Sequence, residues 1–342
     1  MKEFNICVVG CGGMSKTWIK YALGRKDCKI KALVDVFVDN ANARKQEFEL
    51  DCQVYSSLEQ AIKEQNINLV FDVSIPEAHF DVVKTALENG CDCFGEKPMS
   101  STIENAREMV EIAKKTGRTY AIMQNRRFLK SIRAYKELLE PEVIGDLGVL
   151  KGDFFIGAHF DGFRAVMDSP LVLDMAIHSF DQARFLAGGK PVSAFCYEYN
   201  PGWSWYKGAA CAVCIFEFDN GVVFTYNGSW CTDGFPTQWE CDWRAVGSKG
   251  TALWTTNDGE GDIKAQVVKA DDEEFIKDGE IVLPKYTYEG NERHVGCLDH
   301  MFDGIINQKP IETVCYDNIM SMEMVFAAIE SSKKGQKVKI NV

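Results

Sequence analysis

The chain has 342 residues, 46% of them hydrophobic and 26% charged, proportions of a compact globular protein that exclude a disordered or fibrous one. Its formal charge of -12, with no compensating run of lysine or arginine, excludes electrostatic capture by nucleic acid or anionic lipid. The length exceeds what one hydrophobic core usually fills and predicts two domains.

The N-terminus lacks the basic-then-apolar layout of a secretory signal, and no apolar run is long enough for a bilayer, so a cytoplasmic location is expected. The thirteen cysteines are odd in number and scattered, often inside apolar strand patterns, and are expected to be reduced, mostly buried thiols. Cys211 and Cys214 have CxxC spacing, but residues three apart on a strand point to opposite faces; Cys91 and Cys93 have no second pair. No metal site is expected.

Apolar runs alternate with helical patterns through the first 120 or so residues. The runs at 4–9, 30–34, 69–73, 91–94 and 119–123 read as strands, and 16–23, 40–48, 78–89 and 102–115 read as helices. Strict alternation predicts a doubly wound parallel sheet with right-handed crossovers. Beyond Gln124 the pattern changes to a helix at 129–139, a strand at 150–156 and a helix at 170–187. Strands then follow at 192–199, 209–218, 222–230, 239–246 and 251–255. Consecutive strands joined by turns such as Asp219-Asn220-Gly221 predict an α+β half with a mostly antiparallel sheet. Helices at 293–307 and 318–332 close the chain, and Met320, Met322 and Met324 read as core filling. The expected domains are 1–123 and 124–342, with the C-terminal helix free to pack back on the first.

Ile6-Cys7-Val8-Val9 runs into Gly10-Cys11-Gly12-Gly13-Met14-Ser15, a strand, glycine turn and helix of the kind that holds a dinucleotide pyrophosphate. Gly10 supplies the tight turn and Gly12 lets the backbone approach the ligand. Ser15 stands where a third glycine would pack helix on strand, and its small side chain serves there. Asp35, at the end of the second strand, is placed to receive the ribose hydroxyls, which favours NAD over NADP; Arg44 and Lys45 leave NADP open. In Gly95-Glu96-Lys97-Pro98 a lysine sits on the carboxyl edge of the sheet, where its ammonium can stabilise an alkoxide.

In the second half Ser169 is the expected N-cap, Pro170 the first helical residue and Gly188 the stop. Asp174, His178 and Asp181, at i, i+4 and i+7, form a narrow polar stripe on an otherwise apolar helix. A carboxylate one turn from an imidazole can orient it as a base for a hydroxyl proton.

The glycine turn, Asp35, Glu96-Lys97-Pro98 and Asp174-x-x-x-His178 together resemble the Gfo/Idh/MocA family over nearly the whole chain. The resemblance implies an N-terminal Rossmann domain that binds NAD(P) and a C-terminal α+β domain whose open sheet serves substrate and oligomer contacts. It implies that Lys97 is the catalytic lysine, that Asp174 and His178 are the acid-base pair, and that Lys97-Pro98 is a cis peptide. It sets Met14, Ser74, Pro76, His79, Glu96 and Asn125 beside the cofactor, and Arg126 beside nicotinamide or substrate.

His159, Asp161 and Arg164 are further candidates for substrate contact, and Trp203, Trp205 and Trp230 for stacking on a sugar face. The expected activity is oxidation of a secondary hydroxyl of a sugar, sugar derivative or polyol by a homodimer or homotetramer assembled through the C-terminal sheet. The rival readings are a glycosidase that retains NAD and oxidises its sugar transiently, and a non-catalytic NAD(P)-binding sensor.

Overall fold

A computed structural model describes residues 3–257, 260–269, 275 and 277–341. The chain divides into two units, one of Met1–Asn125 and His294–Ile319, the other of Arg126–Arg293 and Met320–Val342.

In the first unit, strands β1 (Phe4–Val9), β2 (Cys28–Val34), β3 (Gln53–Tyr55), β4 (Leu69–Asp72), β5 (Asp92–Gly95) and β6 (Tyr120–Ile122) form one sheet ordered β3-β2-β1-β4-β5-β6. Every pairing is parallel. Helices cover both faces, which is why β4 and β5 read as continuous apolar runs and are buried at every residue. Ser57 and Thr102 cap two of those helices by accepting from Gln60 N and Asn105 N. The strand order reverses between β1 and β4, so the crevice for a ligand opens at their carboxyl ends.

The sequence reading passed over β3 and the helix Leu58–Gln65. The returning segment 294–319 groups with this unit, whereas Met320–Val342, which holds most of the C-terminal helix, groups with the other. Phe302, on the helix Arg293–Asn307, sets its ring edge-on to Phe4, Phe71 and Phe94 at centroid distances of 4.9, 6.2 and 5.4 Å. The backbone follows: Ile122 N donates to Thr313 O at 2.9 Å.

In the second unit, β7 (Leu147–Phe155), β8 (Pro191–Tyr199), β9 (Cys211–Phe218), β10 (Val223–Ser229), β11 (Asp242–Gly247), β12 (Gly250–Asn257), β13 (Glu260–Val268), β14 (Gly279–Val282) and β15 (Val338–Lys339) form a sheet ordered β14-β13-β12-β11-β7-β10-β9-β8-β15. Among the described residues of this sheet, only β7 and β10 pair in parallel. One face is buried: Phe180 packs on Phe216 and Tyr226, and Tyr135 on Trp254. On the other, Phe195, Tyr197, Tyr199, Val213 and Ile215 are each at least 40% exposed.

None of the thirteen cysteines is in a disulfide among the described residues, and Met322 and Met324 are buried. No described helix is long and apolar enough to cross a membrane.

Candidate functional site

The turn after β1 divides its glycines by task. Gly10 has φ +84°, and a Cβ there would lie 2.6 Å from the backbone of Ser74, so both conformation and space require glycine. A Cβ at Gly12 or Gly13 would meet nothing within 4 Å; glycine there keeps the space over the turn clear. Ser15 is buried and donates its hydroxyl to Gly12 O at 2.6 Å, so the non-glycine third position is absorbed locally. No side chain caps the helix Ser15–Leu23 at Met14; Lys16 N and Thr17 N turn back to Gly13 O and Met14 O at 3.4 and 3.0 Å, so the helix start facing the glycine turn is backbone alone.

Asp35 closes the turn from the other side, accepting from Cys11 N at Oδ2 and from Phe37 N at Oδ1, both at 2.8 Å. Arg44 donates to Cys11 O at 3.1 Å and pairs with Glu47, which spends much of the charge a 2′-phosphate would need. A cleared glycine turn, an uncapped helix start and an acid at the end of β2 fit NAD.

Asp72, the last residue of β4, organises the next loop. Its Oδ1 accepts from Ser74 Oγ at 2.6 Å, and its Oδ2 lies 2.7 Å from His79 Nδ1. His79 is 1% exposed. Burial works against its charged form, but the Asp72 carboxylate prevails and raises the imidazole above its usual value of 6.5. His79 therefore anchors the Ser74 loop from inside. Ser74 and Pro76 are half-buried at the surface of that loop.

After β5 the Lys97-Pro98 bond is cis. Glu96 is fastened on several sides: Trp18 Nε1 donates to its Oε1 at 2.8 Å, Lys97 N approaches Oε2 at 3.3 Å, and His294 Nε2 stands 3.8 Å from Oε1. The other ring nitrogen of His294 lies 3.1 Å from Asn125 Nδ2. Glu96 and Asn125, both expected beside the cofactor, thus share one histidine. Sequence reasoning missed Trp18, which read as part of an apolar helix stripe, and His294, which is 169 residues from Asn125 and carries no local motif.

In the second unit the expected helix over 170–187 is two structures. Pro170–Met175 is a π-helical turn and Ala176–Ala187 an α-helix, so Asp174 lies in the wide turn and His178 in the first α turn. Ser169 is not the expected side-chain cap; its hydroxyl donates to Glu198 Oε2 at 3.3 Å instead. Gly188 ends the helix with φ +70° as expected.

Asp174 and His178 are 9% and 7% exposed, and Arg164 Nε donates to Asp174 Oδ2 at 2.6 Å. The stripe's third member departs from the pair: Asp181 takes a two-pronged contact from Arg127 at 2.6 and 2.7 Å and a bond from Ser321, a structural network. Arg126 reaches the same segment, with Nη2 3.7 Å from Met175 Sδ.

The tryptophan set separates too. Trp230 is 2% exposed and packs on Tyr206, and Trp205 stacks on His159 at 3.6 Å, while Trp203 is 76% exposed. His159 also approaches Asp233 Oδ1 at 3.2 Å.

Two sequence models of one oxidoreductase family match the chain. That of its NAD-binding Rossmann fold covers residues 4–124, and that of its C-terminal alpha/beta domain covers 136–340. The chain belongs to the Gfo/Idh/MocA family. As such it is an NAD-binding oxidoreductase.

Relatives within Gfo/Idh/MocA include the uncharacterized protein y4oX of Sinorhizobium fredii, 24% identical over 98% of this chain and 96% of that protein. The inositol 2-dehydrogenase/D-chiro-inositol 3-dehydrogenase of Lacticaseibacillus casei is 27% identical over 53% of this chain and 52% of its own. An oxidoreductase from Agrobacterium radiobacter, solved with NAD+, L-tartaric acid and magnesium, shares the fold with a TM-score of 0.86 at 19% identity over 99% of each chain.

Proposed function

We propose that the protein oxidises a secondary hydroxyl of a sugar, sugar derivative or polyol, with His178 as the base. The observation that carries this is a buried imidazole four residues after a buried carboxylate that Arg164 holds at 2.6 Å. Buried titratable groups concentrate at functional sites, and this pair, unlike Asp181, is not tied into the Arg127-Ser321 network. The relative in L. casei, an inositol dehydrogenase, supports the substrate class.

In this reading Gly10, Gly12, Gly13 and Met14 receive the pyrophosphate, Asp35 the ribose hydroxyls, and Ser74, Pro76, Glu96 and Asn125 line the rest of the cofactor. Bound NAD supplies the acceptor for the hydride. His178 takes the hydroxyl proton, Asp174 fixes the imidazole and balances its charge, and Lys97 donates to the oxygen as negative charge grows on it. Substrate contacts come from Lys97, Arg126, His159, Arg164, Asp174 and His178.

The exposed apolar face of Phe195, Tyr197, Val213 and Ile215 supports assembly of identical chains through the sheet, which sedimentation analysis tests.

The activity is tested by incubation with NAD and a panel of polyols, sugars and glycosides while absorbance at 340 nm is followed. Net NADH from an alcohol is the expected result. Glycoside cleavage without net NADH would replace this reading with a glycosidase, and inertness across the panel would replace it with a sensor.

A further inference from the structure

Arg126 opens the second unit in the short turn Asn125–Arg127. Its guanidinium has two partners among the described residues: the carbonyl of Trp239, to which Nη1 donates, and the thioether of Met175, 3.7 Å from Nη2. Neither is an anion, and a thioether is a weak acceptor. Five N–H donors in a planar fork are thus largely unspent.

Its neighbours do not make up the charge. Glu240 is turned to Arg293, 3.6 Å from Nη1, and no carboxylate stands within ion-pair distance of Arg126 among the described residues. The other arginines of this region are compensated, Arg164 by Asp174 and Arg127 by Asp181. Burial bears on the Arg126 cation first and pushes its pKa below the ordinary arginine value, with Glu240 only partly opposing. Arg126 is half-buried, and a guanidinium there without a carboxylate partner offers its fork to a carboxylate in two-pronged contact.

Position gives this cation a role. Met175, which it touches, directly follows Asp174 and precedes His178 by three residues. We infer that the substrate carries a carboxylate, taken by Arg126 beside the Asp174-His178 pair, so that the protein acts on a polyhydroxy acid such as an aldonate or uronate rather than a neutral sugar. One uncompensated cation matches one negative charge; a doubly charged phosphate would call on a second cation, and Arg164 is committed to Asp174. The inference rests on the reading of Asp174 and His178 as the reacting pair.

The test uses the NAD-loaded protein with D-gluconate and D-glucuronate set against D-glucitol and D-glucose, with binding followed by titration calorimetry and turnover by absorbance at 340 nm. Each acid should bind about tenfold or more tightly than its neutral counterpart, and Arg126→Met should abolish that preference. Arg126→Lys, which keeps the charge and loses the fork, should restore part of it.

Equal binding of acid and neutral compounds, an Arg126→Met variant that keeps the preference, or no acid binding at all would overturn the inference. Acid binding without NADH from any alcohol would leave the anion site standing and remove the dehydrogenase reading. NADH formed from neutral polyols with no preference for acids would do the reverse.

Discussion

Arg164 donates from Nε to Oδ2 of Asp174 across 2.6 Å, so the carboxylate one turn before His178 is itself half of an ion pair. Arg164→Ala should therefore act through Asp174. A hydrogen bond to a charged group contributes about 1.5–3 kcal/mol, which predicts a kcat reduced about 10–100-fold with little change in the KM for NAD. Wild-type turnover in this variant would show that Asp174 does not need the guanidinium.

Lys97→Ala should lower kcat about 100–1000-fold, the usual cost of removing one donor to a developing oxyanion. NAD affinity, measured by fluorescence titration of the variant, should stay nearly intact. Equal turnover would take Lys97 out of the reaction.

The glycine turn offers a contrast between neighbours. Gly12→Val places a side chain in open space, so the melting temperature without cofactor should change little while NAD binding is lost. Gly10→Ala forces a Cβ to within 2.6 Å of the Ser74 backbone at positive φ, and should lower the melting temperature as well. Loss of stability in both would mean that the space over Gly12 is not kept for a ligand.

Asp35→Ala should weaken NAD more than NADP, because the carboxylate receives hydroxyls from the one and repels the phosphate of the other. A preference unchanged in side-by-side titrations would move the ribose site away from Asp35.

His79 predicts a pH dependence with a definite sign. Its pKa is raised in the folded protein above 6.5, so its pairing with Asp72 contributes most below that pH. The contribution fades as pH rises through the folded value. The melting temperature of wild type relative to His79→Gln should accordingly be highest in mild acid and decline towards alkaline pH. A difference that grows with pH would mean that the imidazole is neutral when paired.

Much of the first unit was legible because its strands are buried on both faces and read as plain apolar runs between helical stripes. β3 escaped because its three residues, Gln53-Val54-Tyr55, are too few to show a period. β13 was passed over although Asp262-Ile263-Lys264-Ala265-Gln266-Val267 alternates and buries Ile263 and Ala265, whereas β14 has only four residues, Gly279-Glu280-Ile281-Val282, too few to show a period. In the candidate site, Gly10, Asp35, Lys97, Asp174 and His178 stand in local patterns, which is how sequence reasoning reaches them. What was missed is relational. Trp18 reaches Glu96 from 78 residues away and His294 reaches Asn125 from 169, distances at which no spacing rule operates. The π turn at Asp174 was missed for another reason, since a turn one residue wider leaves the same apolar composition.

The placement of Phe302 against Phe4, Phe71 and Phe94 has a consequence during synthesis. When Asn125 leaves the ribosome the cofactor-binding sheet has all its strands but lacks the aromatic ring that covers one patch of it. That ring arrives roughly 180 residues later, on the order of ten seconds or more at about 5–20 residues per second. Until then the nascent chain shows bare phenylalanine to its surroundings, and a fragment cut at residue 125 would show it permanently. The amino-terminal half is thus encoded first and finished last, which makes it a natural client for chaperones and a poor candidate for expression alone.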